Sequence, residues 1–380
     1  MAITASSRQS GLPAVDYYAP NFKVEVEGRQ LDPESKGDVL EIKVSMDLDN
    51  FTSFDLVVNN WDDKKFSFKY SDTQVFDVGN RVHIRMGYAD DLRFMASGII
   101  STLTPKFPDS GPPTLGVTGV DPMLKLRDRK PVGSEQKKFV DMMDWEIAQV
   151  VARRNHLEVK VTQDGPKHPL VIQKNQDDAK FLMERAKRID FDCYIRIDPD
   201  NGKDTLYFVR PTDGRDGSKI RIYVFEWGKS LINFSPKLNL GQQVSKVTVR
   251  AWDPRTKSHI TYTAGPDDLP KSGGSESGPA LAAKRLNDKQ DVVVDRPVAS
   301  LQEARDLALS MLRERAYSYL TGSGQVIGIP DLRPGDNIEL QGLGKRFSGE
   351  YYVTKVEHSL GNNGYLTQFE VRSLTDGGTQ

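Results

Sequence analysis

Cysteine is almost missing from this chain. Cys193 stands alone among 380 residues, so no internal disulfide can form and folding does not depend on an oxidising compartment. Histidine is nearly as scarce. His83, His156, His168, His259 and His358 are scattered, no two at metal-ligand spacing, which argues against a zinc site. Net charge is absent too: 52 Lys and Arg against 53 Asp and Glu leave −1, too little to steer the protein onto nucleic acid or an anionic membrane. No apolar run approaches the roughly 18 residues of a membrane helix. The N-terminus, Met-Ala-Ile-Thr-Ala-Ser-Ser-Arg, lacks the apolar stretch of a secretory signal. These absences predict synthesis in the cytoplasm, no transmembrane segment and no direct nucleic-acid recognition.

Catalytic signatures are missing as well. Neither a G-x-S-x-G elbow nor a phosphate-binding loop occurs, and Gly342-Leu-Gly-Lys345 has the wrong spacing for the latter. Asp198-Pro-Asp-Asn-Gly-Lys-Asp204 resembles a calcium loop only in part. Its glycine falls at the fifth position, and Val209 stands where the bidentate Glu belongs, so a polar hairpin turn is expected. Cys193, between Phe191 and Tyr194, reads as a packed thiol. His83 and His358 read as strand residues. Asp141, Asp144 and Glu146 do not all face one point of a helix and are expected to be solvated. No catalytic residue, cofactor site or metal ligand is assigned, and the chain is not expected to be an enzyme.

What is present is a pattern that occurs twice. Asp77-Val-Gly-Asn-Arg-Val-His-Ile84 leads to Gly98-Ile-Ile-Ser-Thr-Leu-Thr104 and then Leu115-Gly-Val-Thr-Gly-Val120. Arg333-Pro-Gly-Asp-Asn-Ile-Glu-Leu340 leads to Gly349-Glu-Tyr-Tyr-Val-Thr-Lys-Val356 and then Tyr365-Leu-Thr-Gln-Phe-Glu-Val371. In each copy a glycine turn, at Gly79 or Gly335, feeds an alternating strand; a second glycine, Gly98 or Gly349, opens the next strand; a loop then returns a third. Two copies of one β-module in a chain can double the symmetry of an oligomer.

Hydrophobic residues at 37% and charged residues at 28% describe a soluble globular chain long enough for roughly two or three domains. Strict alternation in Phe22–Glu27, Leu40–Val44 and Arg81–Met86 makes residues 1–128 a β-barrel or sandwich, with Pro105–Pro113 as a loop. Residues 129–235 change period. Helices are predicted over Phe139–Arg154 and Asp177–Ile189, followed by a hairpin of Cys193–Ile197 and Leu206–Arg210. Residues 236–380 return to strands, Lys246–Ala251 and His259–Thr263 around a turn at Asp253, with a loop over 265–279. A helix over 301–320 follows, capped by Ser300 and Glu303 and ended by Gly322. The expected fold class is mixed β and α+β: two similar barrels flanking a small α+β domain, with the long helix packed on the second barrel.

The C-terminal third resembles a known family. The residues that carry it are Asp295-Arg-Pro-Val298, Glu303-Ala-Arg-Asp-Leu-Ala308, Ile327-Gly-Ile-Pro-Asp-Leu-Arg-Pro-Gly-Asp336 and Gly342-Leu-Gly-Lys-Arg-Phe-Ser-Gly-Glu-Tyr-Tyr-Val-Thr-Lys-Val-Glu-His358. In the middle of the chain, Asp144-Trp-Glu-Ile-Ala148, Gln176-Asp-Asp-Ala-Lys-Phe-Leu-Met-Glu-Arg-Ala186 and Asp192-Cys-Tyr-Ile195 add to it. The chain is similar to the phage late control gene D proteins, the baseplate hubs of contractile tails and contractile injection systems, including the hub part of VgrG spikes. The resemblance implies a homotrimer whose two tube-like barrels per chain build a pseudo-sixfold ring. That ring adapts a hexameric inner tube to a trimeric spike among other baseplate proteins, in a phage tail or phage-tail-like particle. The sequence stops at Gln380 without an OB-fold or needle region, so the resemblance implies a separate spike protein. The competing readings are a tail-associated cell-wall hydrolase and a β-module that binds the target surface.

Overall fold

The structure, a computed structural model, describes residues 19–121, 124–127, 138–197, 203–211, 222–253, 256–270 and 276–377. The expected turn at Asp198–Gly202, the middle of the expected loop at 271–275 and the first domain boundary at 128 lie outside the described residues.

The first module is built from β1 (Pro20–Val26), β2 (Arg29–Gln30), a short helix α1 (Pro33–Gly37), β3 (Val39–Asp47), β4 (Ser53–Asn59), β5 (Trp61–Asp62), β6 (Ser67–Phe68), β7 (Arg81–Tyr88), β8 (Asp91–Lys106) and β9 (Thr114–Val120). Period-2 alternation buries Ile42, Val44 and Met46 of β3 against Phe54, Leu56 and Val58 of β4 and Val82, Ile84 and Met86 of β7. β8 runs through Pro105, which lies opposite Leu115 of β9, so the proline-rich loop begins later than its composition suggests. Proline is tolerated there because one side of the strand is an edge.

The middle segment contains α2 (Leu124–Arg127), β10 (Lys138–Met143), α3 (Asp144–Arg154), β11 (Glu158–Val161), β12 (Lys167–Ile172), α4 (Asp178–Arg188), β13 (Asp192–Ile197) and β14 (Asp204–Val209). The helix expected from Phe139 starts only at Asp144. Lys138–Met143 is a strand paired antiparallel with β12, so tertiary pairing overrides the helical spacing. Phe139 turns inward and stacks on Phe181 with ring centroids 5.7 Å apart, while Val140 is exposed. The Glu146 carboxylate accepts from the Met143 amide at 2.7 Å and fixes the helix start there. α4 falls where it was expected, with the Asp177 carboxylate accepting from the Lys180 amide at 2.7 Å.

The last segment contains β15 (Ile222–Glu226), β16 (Leu231–Leu238), β17 (Lys246–Asp253), β18 (Ser258–Ala264), α5 (Gly278–Arg285), β19 (Gln290–Val293), α6 (Leu301–Tyr317), β20 (Leu320–Ile327), β21 (Asn337–Gln341), α7 (Gly344–Phe347), β22 (Gly349–Gly361) and β23 (Gly364–Ser373). Two expectations shift here. The loop over 265–279 holds a 3₁₀ turn, Pro266–Asp268, and its end is already helical, with Pro279 in the first turn of α5. α6 stops at Tyr317, and Leu320 and Gly322 begin the next strand. Gly322 is needed for room rather than for ending a helix: a Cβ there would lie 2.5 Å from the Phe234 ring.

The fold is mixed β and α+β. Eleven strands follow one path in a 13-stranded sheet, β16-β20-β23-β22-β3-β4-β9-β8-β7-β1-β2, and β15 and β21 branch from β22. Among the described residues no pairing closes either module into a barrel. The part of β22 that extends past β21 pairs instead with β3, the edge strand of the first module. Four hydrophobic clusters lie below this frame. One belongs to the first module, one to the middle segment, one to the second module, and one holds α6 against β17 and β18.

Candidate functional site

The two modules correspond strand for strand. The first pairs in the order β1-β7-β8-β9-β4-β3 and the second in the order β15-β21-β22-β23-β20-β16. Irregularities fall at matching places. A bulge lies between Ile100 and Thr102 on β8 opposite β9, and another between Val353 and Lys355 on β22 opposite β23. A second matched pair lies between Val39 and Glu41 on β3 and between Leu231 and Asn233 on β16. The turn glycines make the same clamp: the Gly79 amide donates to the Ile100 carbonyl at 2.9 Å, and the Gly335 amide to the Val353 carbonyl at 2.8 Å. Their φ angles, +96° and +93°, lie in the region that favours glycine. Bulges re-aim strands and are costly to misplace, so two shared bulges and a shared clamp describe one module used twice. Two features differ: the outer strand is antiparallel in β1 and parallel in β15, and β7 and β8 carry a further bulge between Ile84 and Arg85 that β21 and β22 lack.

The second pair of predicted glycines is not equivalent. Gly349 opens β22 opposite Leu340, and the residue in the same relation to the first turn is Ala96, opposite Ile84. Gly98 lies inside β8, where a Cβ would stand 2.5 Å from the Val120 carbonyl oxygen and 2.9 Å from the Phe54 ring. Gly98 therefore serves close packing, whereas Gly349 serves a turn at φ +147°.

The modules meet where β22 outruns β21. Residues Gly349–Tyr352 pair with β21, and Lys355–Leu360 continue on the same side to pair antiparallel with Asp47–Ile42 of β3. Side chains lock this junction. Half-buried Arg333 donates from Nη2 to the Phe94 carbonyl of β8 at 2.7 Å and from Nη1 to the Pro330 and Leu332 carbonyls at 2.5 and 2.9 Å. The Tyr88 hydroxyl donates to the Gly328 carbonyl at 2.8 Å, and its ring packs 5.5 Å from that of Tyr365. Arg93 pairs with Asp331 at 3.2 Å. His358, fully buried behind Arg333, has Nε2 3.1 Å from the Leu332 carbonyl, and Nδ1 faces the Tyr365 and Thr367 hydroxyls at 3.0 and 3.1 Å. Burial and the nearby Arg333 charge hold its pKa well below the ordinary value, so it is neutral; the Leu332 carbonyl then assigns the proton to Nε2.

The middle segment is clamped to both modules. Arg81 of β7 pairs with Asp204 of β14 at 2.5 Å, and the Tyr352 hydroxyl of β22 donates to Asp192 of β13 at 2.9 Å. A cleft of about 340 Å³ lies where the three meet, lined by Met46, Asp121, Tyr194, Asp204, Asp331 and Arg333 among others. Behind it, a buried ionic cluster ties α3, β12 and α4 to α6. His168 Nε2 lies 3.0 Å from Asp144 Oδ2, and His168 Nδ1 lies 2.5 Å from Glu303 Oε1. Arg185 Nε donates to Asp144 Oδ1 at 2.5 Å. Burial disfavours every charge here, but the bonds to Asp144 and Glu303 outweigh it and raise the His168 pKa. The same contacts, with the Arg185 charge on Asp144, hold both carboxyls below their ordinary range.

Asp144 is thus buried, not solvated as its helix position suggested, because the register of α3 turns its first residue onto α4. Glu303 is the expected capping residue of α6, yet it reaches back to the Ala299 amide at 2.8 Å and sideways to His168. Both ring nitrogens of His168 and both oxygens of Asp144 are engaged, an arrangement suited to holding elements together. Cys193 is buried, and burial pushes its thiol up to about 12. Among the described residues no three His, Cys, Asp or Glu side chains are placed to hold a metal ion, and no helix is long and apolar enough to cross a membrane.

Solved proteins share this fold. A 43 kDa tail protein of prophage MuSo2 from Shewanella oneidensis aligns with a TM-score of 0.68 at 14% identity, over 93% of this chain and 98% of its own. A tail protein from Neisseria meningitidis aligns at 0.68 and 14%, over 94% and 97%. A type VI secretion system component from E. coli, described as structurally similar to T4 bacteriophage tail proteins gp27 and gp5, aligns at 0.57 and 13%, over 92% and 76%. No curated protein matches the sequence. Residues 17–362 match the family described as the Alg8 N-terminal domain, and the chain belongs to that family.

Proposed function

We propose that the protein is a structural, non-enzymatic baseplate hub of a phage tail or contractile injection particle. Three chains close into a ring of six similar modules. The ring docks a hexameric inner tube on one face and a trimeric spike on the other, among further baseplate proteins. The observation that carries this reading is the junction itself: one chain already joins two equivalent modules side by side through β22 and β3. Such a join can be repeated between chains until the ring closes. The barrel-like character of each module belongs to the same reading, since edges left open within one chain are satisfied only by neighbours. So does the division into a first module to about residue 128, a middle segment from 129 and a second module. We take the second module to begin at β15 rather than at 236, because β15 pairs with β21.

The resemblance to late control gene D proteins and the fold shared with tail proteins support this function. The test is the mass and class-averaged image of the purified chain, alone and mixed with its spike. A threefold ring with quasi-sixfold density around a central channel is expected. A monomer under both conditions would overturn the proposal.

A further inference from the structure

The internal junction is a template for the contact between copies, and each module keeps one edge that the template leaves open. On β22, residues 355–360 extend past β21 and pair with β3. The corresponding part of β8 extends past β7: its pairing with β7 ends at Ile99, after which only β9 is alongside, and Ser101, Thr102, Thr104, Pro105 and Lys106 are exposed. The strand corresponding to β3 is β16. It lies at the end of the sheet path with β20 as its ladder partner; beyond a bridge from Leu231 to Trp227, its outer edge has no partner among the described residues.

The shared bulges set the register between the copies of the module. On the long strands, Val356 corresponds to Leu103 and His358 to Pro105, and Leu360 corresponds to Phe107, the residue after the end of β8. On the short strands, Ile42 corresponds to Phe234, Val44 to Pro236 and Met46 to Leu238. Carrying the β22–β3 register over sets Leu103 opposite Leu238, Thr104 opposite Lys237, Lys106 opposite Ser235, and Phe107 opposite Phe234. The apolar pairs Val356–Met46 and Leu360–Ile42 of the template become Leu–Leu and Phe–Phe, and no like charges face each other. At the centre, where the template pairs His358 with Val44, prolines face each other: Pro105 and Pro236.

That position matters because it is a hydrogen-bonded one. The Leu48 amide donates to the Thr354 carbonyl at 3.1 Å, so the even-numbered residues of β3, Val44 among them, aim their backbone groups at β22. The Asn239 amide donates to Tyr319, toward the body of its own sheet, so Pro236 aims its nitrogen outward. Each proline therefore takes no bond from its own sheet, while the pair removes two bonds from the contact between copies.

Resting on the ring reading above, we propose that neighbouring copies of this chain pair residues 102–107, the end of β8 and the residue after it, with residues 234–239, the end of β16 and the residue after it, in the register of the internal junction. Pro105 opposite Pro236 leaves that ladder without its two central hydrogen bonds. The contact between chains is then weaker than the one within a chain, and the same prolines stop either edge from recruiting unrelated strands.

Thr104 and Lys237 form a directly opposed, non-hydrogen-bonded pair in this register, the spacing a disulfide fits. The full chain carrying Thr104→Cys and Lys237→Cys is oxidised and run on a non-reducing gel. Covalent species that end at three chains are expected, with at least tenfold less from the two-residue slip, Lys106→Cys with Lys237→Cys. Buried Cys193 does not compete. Equal or greater cross-linking in the slipped register, or a trimer by mass that cross-links in neither, overturns the register while leaving the ring reading intact. Monomers by mass, with and without the spike, would overturn both. In the otherwise native chain, Pro105→Val with Pro236→Val restores the two bonds and should tighten self-association roughly tenfold. Unchanged or weaker association would overturn the role given to the prolines.

Discussion

Arg333 shows how much one side chain can hold when three carbonyls converge on it. Two of them belong to its own loop and one to the other module, so the residue joins the modules through a single half-buried guanidinium. Arg333→Leu leaves those acceptors unsatisfied and should cost about 3 kcal/mol in denaturant unfolding. The ionic cluster makes a second prediction at this scale. The His168 pKa is raised in the folded protein, so its contribution is complete below the ordinary value of 6.5 and is lost as pH rises through the raised value. The Asp144 and Glu303 pKa values are lowered, so theirs is complete above the ordinary carboxylate range and is lost as pH falls through the lowered values. The stability gap between the native chain and His168→Gln should therefore be widest on the acidic side of neutrality and should narrow in alkali. A gap independent of pH would show that His168 is not the titrating partner. Sequence alone pointed away from this cluster, since Asp144, His168, Arg185 and Glu303 have no shared motif and converge only through packing.

Among the elements, the two turns and the two long strands make different demands on glycine. Gly335→Ala places a Cβ at φ +93° in ordinary van der Waals contact with the Tyr352 hydroxyl, 3.7 Å away, so the cost is backbone strain, about 1–2 kcal/mol. Gly98→Ala has no such strain but collides with a carbonyl and a ring, an overpacking cost of about 1–3 kcal/mol that slackens when Phe54 is also made smaller. Thermal unfolding of Gly98→Ala with and without Phe54→Leu separates the two mechanisms: only the steric one is relieved. The strands of the repeated pattern and the helices α4 and α6 were legible from alternation, caps and turn glycines, whereas strands such as β4, β12, β16 and β20 were not. The start of α3 was not, because Phe139 and Met143 satisfy a helical period and a strand paired with β12 equally well. The bulges were also hidden, since no residue type marks an unpaired position within a strand.

At the scale of the molecule, association through strand edges should be driven by backbone bonds and apolar pairs rather than by charge. The net charge is −1, and the open edges carry Lys106 and Lys237 with no carboxylate set opposite them in the proposed register. Sedimentation at 50 and 500 mM salt should change the assembled fraction less than twofold; a collapse of assembly in high salt would point to an ionic interface elsewhere. Assays on purified cell-wall material should likewise find no turnover by the full chain.

The sequence by itself determined that this is a β-protein built around a repeated pattern, with an α+β middle segment. Alternation, glycine turns and helix caps are local, acting over a few residues and leaving their mark in composition and spacing. Only the tertiary structure decided that β22 reaches across to β3, that Asp144 and Glu303 close on one histidine, and that Pro105 lies opposite Leu115 and Pro236 opposite Gly322. These depend on pairings between residues that are not sequence neighbours, whose energies come from burial and register and leave no pattern in the neighbouring sequence.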